Sequence, residues 1–264
     1  IWGMAMGSFG YRPFERTRAL CHDGRWAQYC ASSIVIELEK NIQWPPIRDE
    51  CMRLLVVDLL AEREAFGRVG VSEIVRHFTP SEVFLWSPHT SERIDYGFGT
   101  VVANPVDADA IVITGSRRNV TMWENWMDDV VDLIRSTTVP LYGICFGHQI
   151  VAHAFGGKVE RAEKDSHFVA EVFEQSGDTI IASFAHQEHV VDAGELDVIA
   201  SSDHCTIVAC KHPTLPIHTV QYHPEAVSEL LDAALACGDM NHVERSAYDL
   251  SLIHISEPTR RKHI

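Results

Sequence analysis

Tyr142-Gly143-Ile144-Cys145-Phe146-Gly147-His148-Gln149 is the stretch that decides how this chain is read. The apolar run Val139–Ile144 predicts a buried strand. Phe146–Phe155 predicts a helix, stopped by Gly156-Gly157. Between them the chain must turn sharply, and small residues must flank the residue at the bend. Gly143 and Gly147 stand two positions to either side of Cys145 and supply them. The sulfur then lies near the first turn of a helix, whose positive end favours a thiolate. The backbone N–H of Phe146 points at an incoming carbonyl oxygen, as half of an oxyanion hole. A lone cysteine among packing glycines is more often a buried structural residue. The strand–G-x-C-x-G–helix setting favours the nucleophile.

Outward from this point the chain alternates. Leu54–Val57, Val83–Trp86 and Ala110–Thr114 read as strands, the last ending at Gly115-Ser116. A helix is predicted around Ser72–Phe78, ahead of Pro80, and another over Trp123–Ser136 with Trp126, Val130, Leu133 and Ile134 on one side. Such alternation predicts an α/β fold, an open, mainly parallel sheet flanked by helices. From Phe168 the texture changes. Phe168–Phe173, Thr179–Phe184, Leu196–Ala200, Thr206–Cys210 and Ile217–Tyr222 are short and strand-like, which predicts a β-rich extension of the same domain. Val227–Cys237 closes as a helix before Gly238.

The 264 residues carry 22 Lys+Arg against 37 Asp+Glu, a formal net charge of −15, with 46% hydrophobic residues. This is globular composition with a sizeable core. The acidic balance argues against nucleic-acid or anionic-membrane partners. No apolar run reaches the roughly 18 residues of a membrane span, and the first residues show no secretory pattern. Seven cysteines without a C-x-x-C pair argue against a disulfide framework and for a cytoplasmic location.

The second chemical signal is Gln221-Tyr222-His223-Pro224-Glu225. In an extended strand, positions two apart share a face. His223 and Glu225 could both approach Cys145, or Glu225 could hold His223 from behind. The latter is a base oriented by a carboxylate, as a Cys-His-Glu triad requires. Alone, H-x-E is common and is usually a solvated surface pair.

Together the two motifs resemble the class I, triad-type glutamine amidotransferases, nearest the branch related to GMP synthetase. That family carries a G-[IVL]-C-x-G-x-Q elbow and a Q-[FY]-H-P-E strand end, and both are unbroken here. The resemblance runs from about Met52 to Gly238 and implies a flavodoxin-like amidotransferase fold. It implies that Cys145 is the nucleophile, His223 the base and Glu225 its orienting acid. Ile113-Thr114-Gly115-Ser116 sits where relatives have a Gly-rich turn, so Gly115 or Ser116 would give the second oxyanion N–H. Gln149 would help hold the substrate's α-amino and carboxylate groups. Ala185-His186-Gln187-Glu188-His189-Val190 resembles an S-H-x-D-x-V segment, which implies substrate contacts at Ala185 and His186. It departs from that pattern with Ala185 for Ser and Glu188 for Asp; the alternative for His186 and His189 is a polar loop.

The resemblance further implies attack of the thiolate on the γ-amide of glutamine, a γ-glutamyl thioester, and hydrolysis to glutamate. No metal or organic cofactor is expected. His186-x-x-His189 and the group His204, Cys205, Cys210 and His212 fit no standard zinc spacing. No P-loop and no S-G-G-x-D-S pyrophosphatase segment occur. The expected substrate is glutamine or a γ-glutamyl small molecule. The first would come with a synthase partner that accepts the ammonia, and the second would make the protein an independent hydrolase. A ThiJ/PfpI-like enzyme is disfavoured by His223-Pro224-Glu225, and a degenerate binding or regulatory protein by the intact triad.

The expected domain is 52–240. Residues 1–51 start at Ile1 rather than Met and form no clear unit, so they read as upstream sequence before a start at Met52. Residues 241–264 read as a tail, and Ser251–Arg260 (SLIHISEPTR) resembles a translated sequencing adaptor.

Overall fold

The apolar runs predicted as strands form the centre of one ten-stranded sheet. The computed structural model describes residues 52–246 and 248. The expectations for 1–51 and 251–264 lie outside these residues.

The strands are β1 (Arg53–Val57), β2 (Glu82–Trp86), β3 (Thr100–Val102), β4 (Ala110–Ile113), β5 (Leu141–Ile144), β6 (Lys158–Glu174), β7 (Thr179–Asp192), β8 (Asp197–Ser202), β9 (Cys205–Lys211) and β10 (Ile217–Val220). The helices are α1 (Glu64–Phe78), α2 (Trp126–Ser136), α3 (Phe146–Ala154) and α4 (Ser228–Ala236). The sheet order is β3-β2-β1-β4-β5-β10-β9-β8-β6-β7. Pairing is parallel from β3 across to β10 and antiparallel from β10 to β7. The fold is thus α/β, and the β-rich extension continues the same sheet.

Both faces of the parallel half are covered, which is why β4 is apolar throughout and β1 is apolar after Arg53. Leu55, Val57, Ile111 and Ile113 pack with Met127, Val130 and Ile134 of α2 and Phe146 and Ile150 of α3. Leu54, Val56, Val112 and Ile144 face the other way, toward Val71 and Ile74 of α1.

Several elements differ from their predicted extents. Helix α1 begins at Glu64, two turns before the predicted segment. Gly67 and Gly70, poor helix formers, are contact points there: a Cβ on Gly67 would lie 2.2 Å from the Tyr96 hydroxyl, and one on Gly70 3.0 Å from Leu60 Cδ1. Helix α2 starts at Trp126 rather than Trp123. β3 is a three-residue strand that, among the described residues, pairs with β2 alone. β6 and β7 form one long hairpin, so His186 and His189 lie in a strand and not in a polar loop. β10 ends at Val220, and the chain through Glu225 bends and turns.

Candidate active site

The chemistry-bearing residues collect at the carboxyl ends of three neighbouring parallel strands. β4 ends at Ile113 and delivers Gly115, β5 delivers Cys145, and β10 delivers His223. This edge is where ligands bind in open α/β sheets.

The bend after β5 is held from several sides. Cys145 has φ 52° and ψ −98°, left-handed backbone that a side-chain-bearing residue rarely adopts. The Cys145 N–H donates to the Val220 carbonyl at 2.8 Å, tying the bend to β10. Both flanking glycines are needed for close approach. A Cβ on Gly147 would lie 2.4 Å from the Ile113 carbonyl oxygen, and one on Gly143 2.7 Å from the Gly147 oxygen. Phe146 is the first residue of α3, so its N–H has no partner within the helix. Its ring lies 5.7 Å from that of Trp126.

His223 meets this bend from β10. Its backbone N–H donates to the Ser183 carbonyl at 2.8 Å, fixing it to β7. Its Nδ1 lies 2.8 Å from Glu225 Oε1, and Glu225 is 2% exposed. The carboxylate therefore holds the imidazole from behind, through a turn rather than along a strand. The other ring nitrogen, Nε2, is 3.4 Å from the Ala185 carbonyl. Burial pulls the imidazole pKa down. The charge of Glu225, the adjacent Cys145 and hydrogen bonds to both outweigh burial and hold it well above the ordinary histidine range. In that charged form Nδ1–H donates to Glu225 and Nε2–H faces the site. Gly115 closes the third side: a Cβ there would lie 3.0 Å from His223 Cε1 and 3.7 Å from Cys145 Cβ. Ser116 follows it at the same turn, its side-chain Oγ accepting the Arg118 N–H at 3.0 Å.

The remaining predicted residues lie on β7 and α3. The Ala185 carbonyl is 3.6 Å from Cys145 Sγ as well as 3.4 Å from His223 Nε2. His186 is buried, and burial, ahead of neighbouring histidines His204, His223 and His189, lowers its pKa to about 3. The ring is therefore neutral, its Nδ1–H donates to the Glu188 carbonyl at 2.8 Å, and Nε2 keeps an acceptor lone pair with no partner among the described residues. Gln149 is 3% exposed and its Nε2 donates to the Glu188 carbonyl at 2.7 Å and to Gln221 Oε1 at 3.3 Å. Its amide nitrogen is thus engaged by protein groups.

Three further residues complete the site without standing out in the sequence. Gln221 is fully buried and its Nε2 lies 3.6 Å from Cys145 Sγ. Glu188, legible only as a departure from Asp, receives the Thr121 N–H at 3.3 Å and the Thr121 hydroxyl. It thereby clamps the loop after β4 to β7. His148 is buried inside α3 and bridges Thr219 Oγ1 at 2.8 Å and the Ile207 carbonyl at 3.3 Å. Burial, the larger influence, lowers its pKa to about 4, so it too is neutral. Gln221 opens the Q-Y-H-P-E segment and His148 stands close to the cysteine, and those positions were the signal available.

The glutamine amidotransferase class-I family model matches residues 74–238, more than half of the chain. The chain belongs to that family. Among similar curated proteins is a glutamine-hydrolysing GMP synthase subunit of Pyrococcus abyssi, 37% identical over 117 residues, which cover 39% of this chain and 62% of that one. The protein of the same name in Methanocaldococcus jannaschii is 34% identical over 104 residues, 36% of this chain and 55% of the other. The chain thus spans just over half the length of these amidotransferase relatives. Among solved structures, a glutamine amidotransferase from Thermotoga maritima superposes with a TM-score of 0.59 at 14% identity, covering 76% of this chain and 90% of that one. A GMP synthase subunit-like protein from Thermoplasma acidophilum gives 0.50 at 20% identity, covering 77% and 98%. At these identities the likeness is one of fold.

Proposed function

We propose that this class-I amidotransferase hydrolyses the side-chain amide of glutamine through a Cys145 thioester and passes the ammonia to a separate synthase subunit. One observation carries the reading: the His223–Glu225 pair stands beside a cysteine held in strained backbone at a helix N-terminus. Family membership and relatives named glutamine-hydrolysing subunits support the substrate and the partner.

The reacting pair is a Cys145 thiolate and a His223 imidazolium, stabilised by Glu225. The thiolate attacks the γ-amide carbon, and the oxyanion is held by the amides of Phe146 and Gly115. The C–N bond breaks as the imidazolium gives its proton to the departing nitrogen, releasing ammonia and leaving a γ-glutamyl thioester. Neutral His223 then takes a proton from water, hydroxide adds to the acyl carbon, and the C–S bond breaks to regenerate the thiolate and free glutamate.

Ammonia release from glutamine, measured beside release of amine from γ-glutamyl peptides, tests this. Glutamine is expected to be turned over and the peptides not. Cys145→Ser is expected to lose activity by at least about 1,000-fold with the fold intact. Preferred turnover of γ-glutamyl peptides would make the protein an independent hydrolase, and undiminished activity in Cys145→Ser would overturn the reading.

A further inference from the structure

We propose that the Gln221 side-chain amide acts directly on the Cys145 sulfur, and that Gln149 is the positioning residue that fixes its orientation. This rests on Cys145 being the nucleophile. The direction of the chain follows from donor and acceptor chemistry. The Glu188 carbonyl can only accept, so the Gln149 atom 2.7 Å from it is the NH2 group. That NH2 also lies 3.3 Å from one end of the Gln221 amide, which must then be the oxygen. The Gln221 NH2 is left facing Cys145 Sγ at 3.6 Å. Gln149, Gln221 and Cys145 are all buried, so water does not compete for these bonds. Gln221 is further pinned by its backbone N–H, which donates to the Val208 carbonyl at 2.7 Å.

The sulfur therefore has neighbours of opposite kinds. The Ala185 carbonyl, at 3.6 Å, accepts from a thiol; the Gln221 N–H donates to a thiolate. Only the second interaction strengthens as negative charge gathers on sulfur. Charge gathers there twice, before attack and again when the thioester C–S bond breaks and its electron pair returns to sulfur. Gln221 is thus a catalytic group for both halves of the reaction. The far end of the chain is anchored at Glu188, whose carboxylate holds Thr121, so the relay joins the sulfur to the loop that follows Gly115.

The test uses the full chain carrying Gln221→Met, which keeps length but removes the donor, and Gln221→Glu, which keeps shape but turns an acceptor toward sulfur. For Gln221→Met, kcat for ammonia release should fall roughly 10- to 100-fold with KM little changed. Iodoacetamide alkylation of Cys145 at neutral pH should slow by a similar factor and recover toward high pH. Gln221→Glu should be slower in both assays. Gln149→Met should give the same pattern, and the double variant Gln149→Met/Gln221→Met should be no worse than Gln221→Met alone. Wild-type alkylation and turnover in folded Gln221→Met, or in Gln221→Glu should the first not fold, overturn the relay while Cys145→Ser remains inactive. Undiminished activity in Cys145→Ser would instead overturn the nucleophile itself.

Discussion

Cys145 is held in a conformation that its own side chain disfavours, and the stabilisation comes from neighbours: the Val220 carbonyl, the two glycine contacts and the sulfur's polar partners. The imidazole opposite depends on Glu225 in the same way. Glu225→Gln removes the largest of the influences that together outweigh burial, so the protonated fraction of His223 at neutral pH should fall, as nitrogen-resolved NMR would show. On the proposed mechanism, kcat/KM should drop by about 100-fold or more. Asp58, just beyond the end of β1, is a second buried acid and titrates against stability. Burial raises its pKa from 3.8 to about 6, despite hydrogen bonds from the Tyr96 hydroxyl and the Leu60 N–H. The folded state therefore holds this proton more tightly than the unfolded one. Stability contributed by Asp58 is present at the acid end and is lost as pH rises from about 4 to about 6, by up to about 3 kcal/mol. Urea unfolding of Asp58→Asn should lack that part of the pH slope; an unchanged slope would contradict it.

The β5–bend–α3 unit works because α3 approaches β4 too closely for any side chain at position 147. Gly147→Ala would force a Cβ against the Ile113 carbonyl, so the helix or the strand end must shift. The expected loss is about 1–3 kcal/mol of stability, with a larger proportional loss of ammonia release, because Cys145 moves with the helix. Thermal unfolding beside the activity assay would separate the two. This unit was the most legible part of the sequence, since glycine spacing, apolar strand and helix stop all agree. The β6–β7 hairpin was legible only in pieces. Along β7 the buried positions include His186 and Glu188 as well as Phe184 and Val190, and inward polar residues hide a period of two. β3 was missed because it is short and half exposed at the sheet edge. α1 was read short because Gly67 and Gly70 contribute close packing rather than helix propensity.

Across the whole molecule, the sheet order sets Gly115, Cys145 and His223 side by side although they are distant in the chain. Sequence named Cys145 and His223 because two rigid motifs carry them, and Gly115 because it stands in the turn that ends the β4 run. The relay through Gln149 and Gln221 escaped, because which way each amide points follows from the Glu188 carbonyl on β7. A domain over 52–240 remains our proposal for the unit that bears the site. Packing at its end continues further: Tyr248 joins Leu231, Ala234 and Met240 and donates its hydroxyl to the Phe184 carbonyl at 2.8 Å, next to Ala185. Tyr248→Phe should cost about 1 kcal/mol in chemical unfolding; no loss would mean that this bond does not steady β7. The central claim is that a reactive sulfur, imidazole and carboxylate converge at the carboxyl edge of the sheet to attack a glutamine-like carbonyl. Mass spectrometry of the protein treated with a glutamine-like chloroketone tests it most directly. The account predicts a single covalent adduct on the peptide bearing Cys145, suppressed by excess glutamine; absence of an adduct there, or labelling of another cysteine, would contradict it.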